Sequence, residues 1–174
     1  MFVARKKGRL VNNFESYLKM YKIIFIDIDG TLLTSDHKIS EGTLSAIQRV
    51  HHINKIPIIL TTARPPQAVE KIYYQLGLNA PVVCFNGALI IKMGRAEDFV
   101  TLNSLCIEAT LLNAIHGIAA KHNVSLSMYT SSKWYANNYD EWIKQEENIT
   151  QTKATILNTS LQINRVSLKK KNNF

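Results

Sequence analysis

The apolar positions along the chain fall into two textures, and the change comes near residue 87. Residues 23–28, "IIFIDI", form an almost continuous β-branched and aromatic run, the pattern of a parallel strand covered on both faces. Gly30 then lets the backbone turn sharply. In "SEGTLSAIQRVHHIN", Ser40 is placed to cap a helix whose Leu44, Ile47 and Val50 share one face. A second apolar run, "IPIIL" at 56–60, predicts another buried strand. "TTARPPQAVEKIYYQLG" follows it, with Pro65 and Pro66 suited to a first helical turn, Val69, Ile72, Tyr73 and Leu76 as the apolar stripe, and Gly77 as the C-terminal cap. "PVVCF" predicts a third strand, ending at Asn86-Gly87. Strand, helix, strand, helix, strand with short connections predicts right-handed βαβ units, hence an α/β fold with a parallel sheet and helices on both faces.

Beyond residue 87 the texture changes. "ALIIKMGRAEDFVTL" predicts an antiparallel hairpin turning at Met93-Gly94-Arg95, and "SLCIEATLLNAIHGIAAKH" predicts a helix of about five turns. "VSLSMYT" and "LQINRVSL" read as strands on either side of a helix near 139–147. The expected organisation is an N-terminal extension over 1–19, the parallel-sheet core over 20–87, and a separate α+β unit over 88–174.

Composition supports one core: 174 residues, 46% hydrophobic, with 7 Gly and 4 Pro. The net charge of +8 sits at the two ends. Residues 1–22 hold six Lys or Arg against one Glu, residues 165–174 hold four, and the body between is close to neutral. Basic tails on a neutral body do not make the charged face that nucleic acid requires, so no nucleic-acid partner is expected. Cys84 and Cys106 are at unrelated positions and form neither a disulfide framework nor a ligand pair, and Cys84 reads as a small buried hydrophobe. No apolar run approaches the length of a membrane span, and residues 1–14 lack the apolar stretch of a signal peptide, so a cytoplasmic protein without a membrane partner is expected.

The chemistry is concentrated where the three strands end. Ligands of open parallel sheets bind outside the carboxyl ends of the strands, and three polar clusters lie there: Asp27-Ile28-Asp29-Gly30-Thr31, Thr61-Thr62-Ala63-Arg64 and Asn86-Gly87. Two carboxylates at one crevice repel unless a cation or a proton lies between them, and hard oxygen ligands on a turn suit Mg2+. A carboxylate can attack phosphorus while a second acid manages the leaving-group proton. Thr62 and the amides opening the helix at Pro65-Pro66 are placed to hold phosphoryl oxygens. An Asx-turn whose acids only cap backbone is the competing reading of the first cluster alone.

"DIDGTLL" after a hydrophobic strand resembles the first signature of the haloacid dehalogenase superfamily, and "ILTTARP" with "CFNGA" resembles its Cof-type phosphatases. The resemblance implies a doubly wound parallel-sheet core with an inserted α+β cap, both partial. It implies a Mg2+-dependent phosphatase acting on a small phosphorylated metabolite, such as a sugar phosphate. Asp27 is then nucleophile and metal ligand, and Asp29 is general acid/base and binds metal through its backbone carbonyl. Thr62 is the phosphate-binding hydroxyl, with Arg64 and Asn86 close to the substrate. Ala63 stands where the family often has Gly. The segment from 88 onward corresponds to the cap that covers the crevice.

Two further signatures of that superfamily, a neutralising Lys and a distal acidic loop, have no match here. Asp140-Glu141 and Glu146-Glu147 lie in "YDEWIKQEEN", which reads as a solvated helix face, and Lys169, Lys170 and Lys171 lie in a terminal run. The expectation is a shortened product of a longer phosphatase gene, with Met20 as a natural start. An open sheet edge and self-association through it follow. A phosphate-ligand or partner-binding chain without turnover is the alternative reading. His37, His51, His52, His116 and His122 are expected at surface or edge positions, and Trp134 and Trp142 in the packing of the second unit.

Overall fold

The computed structural model describes residues 20–94 and 98–157. Five strands form the principal sheet in the order β1 (Ile24–Asp27), β2 (Ile58–Thr61), β3 (Val82–Cys84), β4 (Leu89–Met93) and β5 (Phe99–Ser104). The first three are parallel, β4 runs antiparallel to β3, and β5 antiparallel to β4. Helix α1 (Glu41–Gln48) joins β1 to β2, and α2 (Pro66–Leu76) joins β2 to β3.

The local signals act as the sequence implies. The Ser40 hydroxyl accepts the Thr43 amide at 3.1 Å and caps α1. Val69, Ile72, Tyr73 and Leu76 are the buried stripe of α2, which ends at Gly77 with φ 68°. Ile28, Leu60, Val69, Leu76, Val82 and Ile91 belong to one continuous core. The Tyr73 hydroxyl reaches the Ala80 carbonyl at 3.0 Å, so this aromatic ring is buried without orphaning its polar end. Cys84 is buried, and desolvation pushes its thiol up to about 12.

Two expectations about the sheet are corrected. The 89–104 hairpin, expected to stand apart from the parallel sheet, hydrogen-bonds to β3 and extends the principal sheet. Alternation in a hairpin shows that one face is buried, but not which sheet buries it. Strand β1 is not covered on both faces. Among the described residues it has a neighbour on one side only, and Phe25 is 60% exposed.

The second layer comprises α3 (Ala109–Lys121), β6 (Ser127–Tyr129), β7 (Trp134–Ala136), α4 (Glu141–Thr150) and β8 (Ala154–Ile156). Its three strands run β6-β7-β8, antiparallel then parallel. Helix α3 starts at Ala109, so "SLCIE" is not part of it. Trp134 is buried beside Ala136 and Ile143, whereas Trp142 is 75% exposed and takes no part in that core. Glu147 is buried, contrary to a solvated face: it accepts hydrogen bonds from Lys153 Nζ at 2.7 Å, the Ala154 amide at 2.9 Å and the Tyr139 hydroxyl at 3.1 Å. His51 is also buried, its Nδ1 3.3 Å from the Ile56 carbonyl oxygen, while its neighbour His52 is exposed. The strand expected in "LQINRVSL" and the turn at Arg95 lie outside the described residues.

Candidate functional site

Strand register brings the three polar clusters to one rim. Asp27 is paired with Thr61, and Thr61 with Val83, so β1, β2 and β3 end level and their following loops emerge side by side. After Asp27 the chain makes a wide turn over Ile28–Leu32, closed by the Leu33 amide on the Ile28 carbonyl at 3.0 Å. Gly30 takes φ 73° within it. Buried Ile28 and Leu32 anchor the turn while Asp27, Asp29 and Thr31 face outward, so alternation alone separates core from chemistry.

The other two loops are tied together. The Thr62 amide donates to Val83 O at 2.9 Å, the Asn86 amide to Thr62 O at 2.9 Å, and the Phe85 amide to Arg64 O at 3.4 Å. Phe85, Asn86 and Gly87 all have positive φ, at 51°, 53° and 98°. Two successive non-glycine residues in the left-handed region cost roughly 1 kcal/mol or more each, strain that persists only where neighbouring contacts hold it. Those contacts are the two hydrogen bonds to Thr62 and Arg64. The Thr62 Oγ1 accepts the Arg64 amide at 3.1 Å, which leaves its hydroxyl proton available for an incoming oxygen.

Arg64 does more than stand near the rim. Its Nε donates to Asp29 Oδ2 at 2.8 Å and its Nη2 to Asp29 Oδ1 at 2.7 Å, a two-pronged pair between a buried guanidinium and a half-exposed carboxylate. These hydrogen bonds hold the Asp29 carboxyl below its usual range; partial burial opposes them, and the positive charges of Arg64 and His37 add to them. His37 has φ 56°, in a turn closed by its amide on Thr34 O at 2.9 Å and by the Thr34 hydroxyl on Lys38 O at 2.8 Å. It is exposed, as expected. Asp27 is exposed, and its nearest hydrogen-bonding side chain is Thr31 Oγ1 at 3.5 Å from Oδ2.

The expected helix-end anion site is weaker than the sequence implies. Pro65 and Pro66 carry no amide proton, and the Ala68 amide returns to Pro65 O at 3.1 Å, which leaves Gln67 to offer one in that turn.

A cation at this rim finds oxygen donors only: the Asp27 carboxylate and the backbone of the Ile28–Leu32 turn. Both Asp29 carboxylate oxygens are engaged by Arg64. Among the described residues no group of three His, Cys, Asp or Glu side chains could hold a metal. One carboxylate plus a carbonyl fits Mg2+, which keeps several waters and takes phosphate oxygens from its ligand. It does not fit a soft metal.

The second layer overhangs this rim. Gln67 Nε2 donates to Ser131 O at 3.4 Å, and the rings of Phe85 and Tyr129 lie 5.4 Å apart. Tyr129 and Ser131 therefore lie against Phe85, the neighbour of Asn86, and Gln67, three residues after Arg64. Among the described residues no helix is long and apolar enough to cross a membrane.

A sequence model of the haloacid dehalogenase-like hydrolases matches residues 24–173. A putative phosphatase of Haemophilus influenzae is 33% identical over 133 residues, 75% of this chain and 49% of that protein. The pyridoxal phosphate phosphatase YbhA of Escherichia coli is 25% identical over 153 residues, 83% of this chain and 56% of that protein. In fold, the chain is similar to a haloacid dehalogenase-like hydrolase from Bacteroides thetaiotaomicron, with a TM-score of 0.70 at 20% identity over 82% of this chain and 53% of that one. The chain thus spans about half the length of the curated relatives it matches.

Proposed function

Because the chain belongs to the haloacid dehalogenase-like hydrolases, we propose that it acts as a Mg2+-dependent phosphatase on a small phosphorylated metabolite, such as a sugar phosphate, with Asp27 as nucleophile. The observation that carries this reading is the contrast between the two acids of one turn: Asp27 exposed and without a cationic partner among the described residues, Asp29 gripped by Arg64. The free carboxylate can attack, and the held one is oriented to move a proton.

In the first half-reaction an Asp27 oxygen attacks phosphorus, the ester P–O bond breaks, and the leaving oxygen takes a proton from Asp29. In the second, water attacks the phosphorus of the aspartyl-phosphate, Asp29 takes the water's proton, and phosphate leaves with Asp27 restored. Thr62 donates its hydroxyl proton to a phosphoryl oxygen in both. Asn86 and Arg64 stand at the rim, Arg64 by orienting Asp29. The Asp27 carboxylate and the Asp29 carbonyl would hold Mg2+, and when bound it would supply charge neutralisation. Arg64 engages both carboxylate oxygens of Asp29 and favours its ionised form, the form that accepts a proton in the second half-reaction.

That preference supports a second reading, a chain that binds phosphate ligands without turnover. Hydrolysis of p-nitrophenyl phosphate with Mg2+ separates the two. Turnover that disappears in Asp27→Asn and on chelation supports the phosphatase. Ligand binding without turnover supports the alternative, and turnover undiminished in Asp27→Asn contradicts the role of Asp27.

A further inference from the structure

Helix α3 carries two apolar stripes, and the second layer uses one of them. Leu112 packs against Met128 and Leu157, and Ala119 is buried. On the adjoining face Leu111 is 55% exposed and Ile118 61%, with exposed Ala114 between them, and exposed Ile107 continues the line ahead of the helix. Steps of four, three and four residues keep these side chains on one side of a helical period. A helix that serves one core has polar residues on its other side. Residues 109–120, "ATLLNAIHGIAA", contain no Asp, Glu, Lys or Arg, so no charge opposes covering this second stripe.

The stripe is its own complement. Leu111 and Ile118 lie equally far from the point between Ala114 and Ile115, so a second α3 turned end for end about that point sets its Ile118 beside Leu111 and its Leu111 beside Ile118. The small Ala114 at the centre lets the two axes approach, with the larger side chains interdigitating on either side of it. Glu108 and Lys121, the charges that bound the uncharged segment, are also equally far from that point, so each acidic end meets a basic end and the helix dipoles oppose. A parallel pair sets like charge against like at both ends. A closed two-fold contact requires a surface that matches itself in this way, and that requirement selects a second copy of the chain as the occupant.

We propose that the chain forms a two-fold symmetric dimer in which α3 packs antiparallel on α3 of a second copy, with Leu111 of each protomer against Ile118 of the other. The contact involves neither the β1 edge nor the residues of the rim, and it stands whether or not the rim is a phosphatase site.

The test uses the full chain carrying Phe25→Lys, so that the β1 edge does not contribute, and measures mass by sedimentation equilibrium from micromolar to millimolar concentration. A dimer that grows no further is expected. Adding Leu111→Glu or Ile118→Lys, both at exposed positions where substitution disturbs the fold little, should weaken the dimer by about thirtyfold or more, the loss expected for a central apolar anchor. An equimolar mixture of these two variants should recover a heterodimer, because one contact then joins the new acid to the new base and the other is the native pairing of Leu111 with Ile118. A monomer throughout that range, a dimer of unchanged strength in Leu111→Glu, or a mixture no tighter than its two components overturns the proposal.

Discussion

Arg64 and Asp29, 35 residues apart in sequence, meet through two nearly equal hydrogen bonds of 2.8 and 2.7 Å, and this pair fastens the turn after β1 to the loop after β2. The guanidinium is 8% exposed and the carboxylate 48%, so its removal leaves a gap in the protein and a free acid at the rim. Arg64→Met is expected to lower stability by about 1–2 kcal/mol, the value of a charge-assisted pair discounted for its open side, as read by urea denaturation. Arg64→Lys should recover little, since a single ammonium cannot make the two-pronged contact. Full stability in Arg64→Met contradicts the fastening role.

Glu147 is the acid counterpart in the second layer. Lys153, the Ala154 amide and Tyr139 hold its carboxyl below the usual range, with the Lys153 hydrogen bond the largest cause. A carboxyl lowered in the folded state contributes stability that is present above its unfolded value and is lost as pH falls through the folded one. Glu147→Gln should therefore melt below the parent chain at neutral pH, with the gap closing in acid. A gap that is constant with pH contradicts the ion-pair origin of the effect.

Gly77 ends α2 at φ 68°, and a methyl group there lies 2.9 Å from His52 Nε2. Gly77→Ala is expected to cost about 1 kcal/mol for the left-handed backbone, with part of the ring clash relieved because His52 is exposed and free to swing. Its urea midpoint against that of the parent chain measures this, and an unchanged midpoint contradicts it.

The open edge of β1 is the surface on which self-association is expected. Phe25 is 60% exposed and Ile23 43%, beside a strand paired on one side only among the described residues. Sedimentation velocity should show association that grows with concentration and weakens in Phe25→Lys, which places a charge on the edge. Association of equal strength in the variant excludes this edge as the contact.

Much of this architecture is legible in the residues, and the exceptions have physical reasons. The run after Lys22, the Ser40 cap and the Gly77 stop are local signals, and they form the elements they imply. Convergence of Asp27, Thr62 and Asn86 follows from parallel strands ending level. The Arg64–Asp29 pair has no local signal, because the contact exists only once β1 and β2 are side by side. Strands β7 and β8 are three residues each, too short for a period to register. Glu147 and His51 look like surface residues because their types are polar, and they are buried because partners five to eight residues away, outside the helical i+3/i+4 spacing, satisfy them. Pro65 and Pro66 marked the start of α2 correctly, yet the missing amide protons that make them good first-turn residues also weaken the anion site expected there.

The central claim is that Asp27 accepts the phosphoryl group, and covalent trapping tests it most directly. The chain is mixed with p-nitrophenyl phosphate and Mg2+, quenched with borohydride, which reduces an acyl-phosphate to an alcohol, and digested for mass spectrometry. Homoserine at position 27, absent when the ester is omitted, is the expected product. Ester hydrolysis that proceeds with Asp27 unmodified, or with the reduced residue at Asp29, contradicts the assignment.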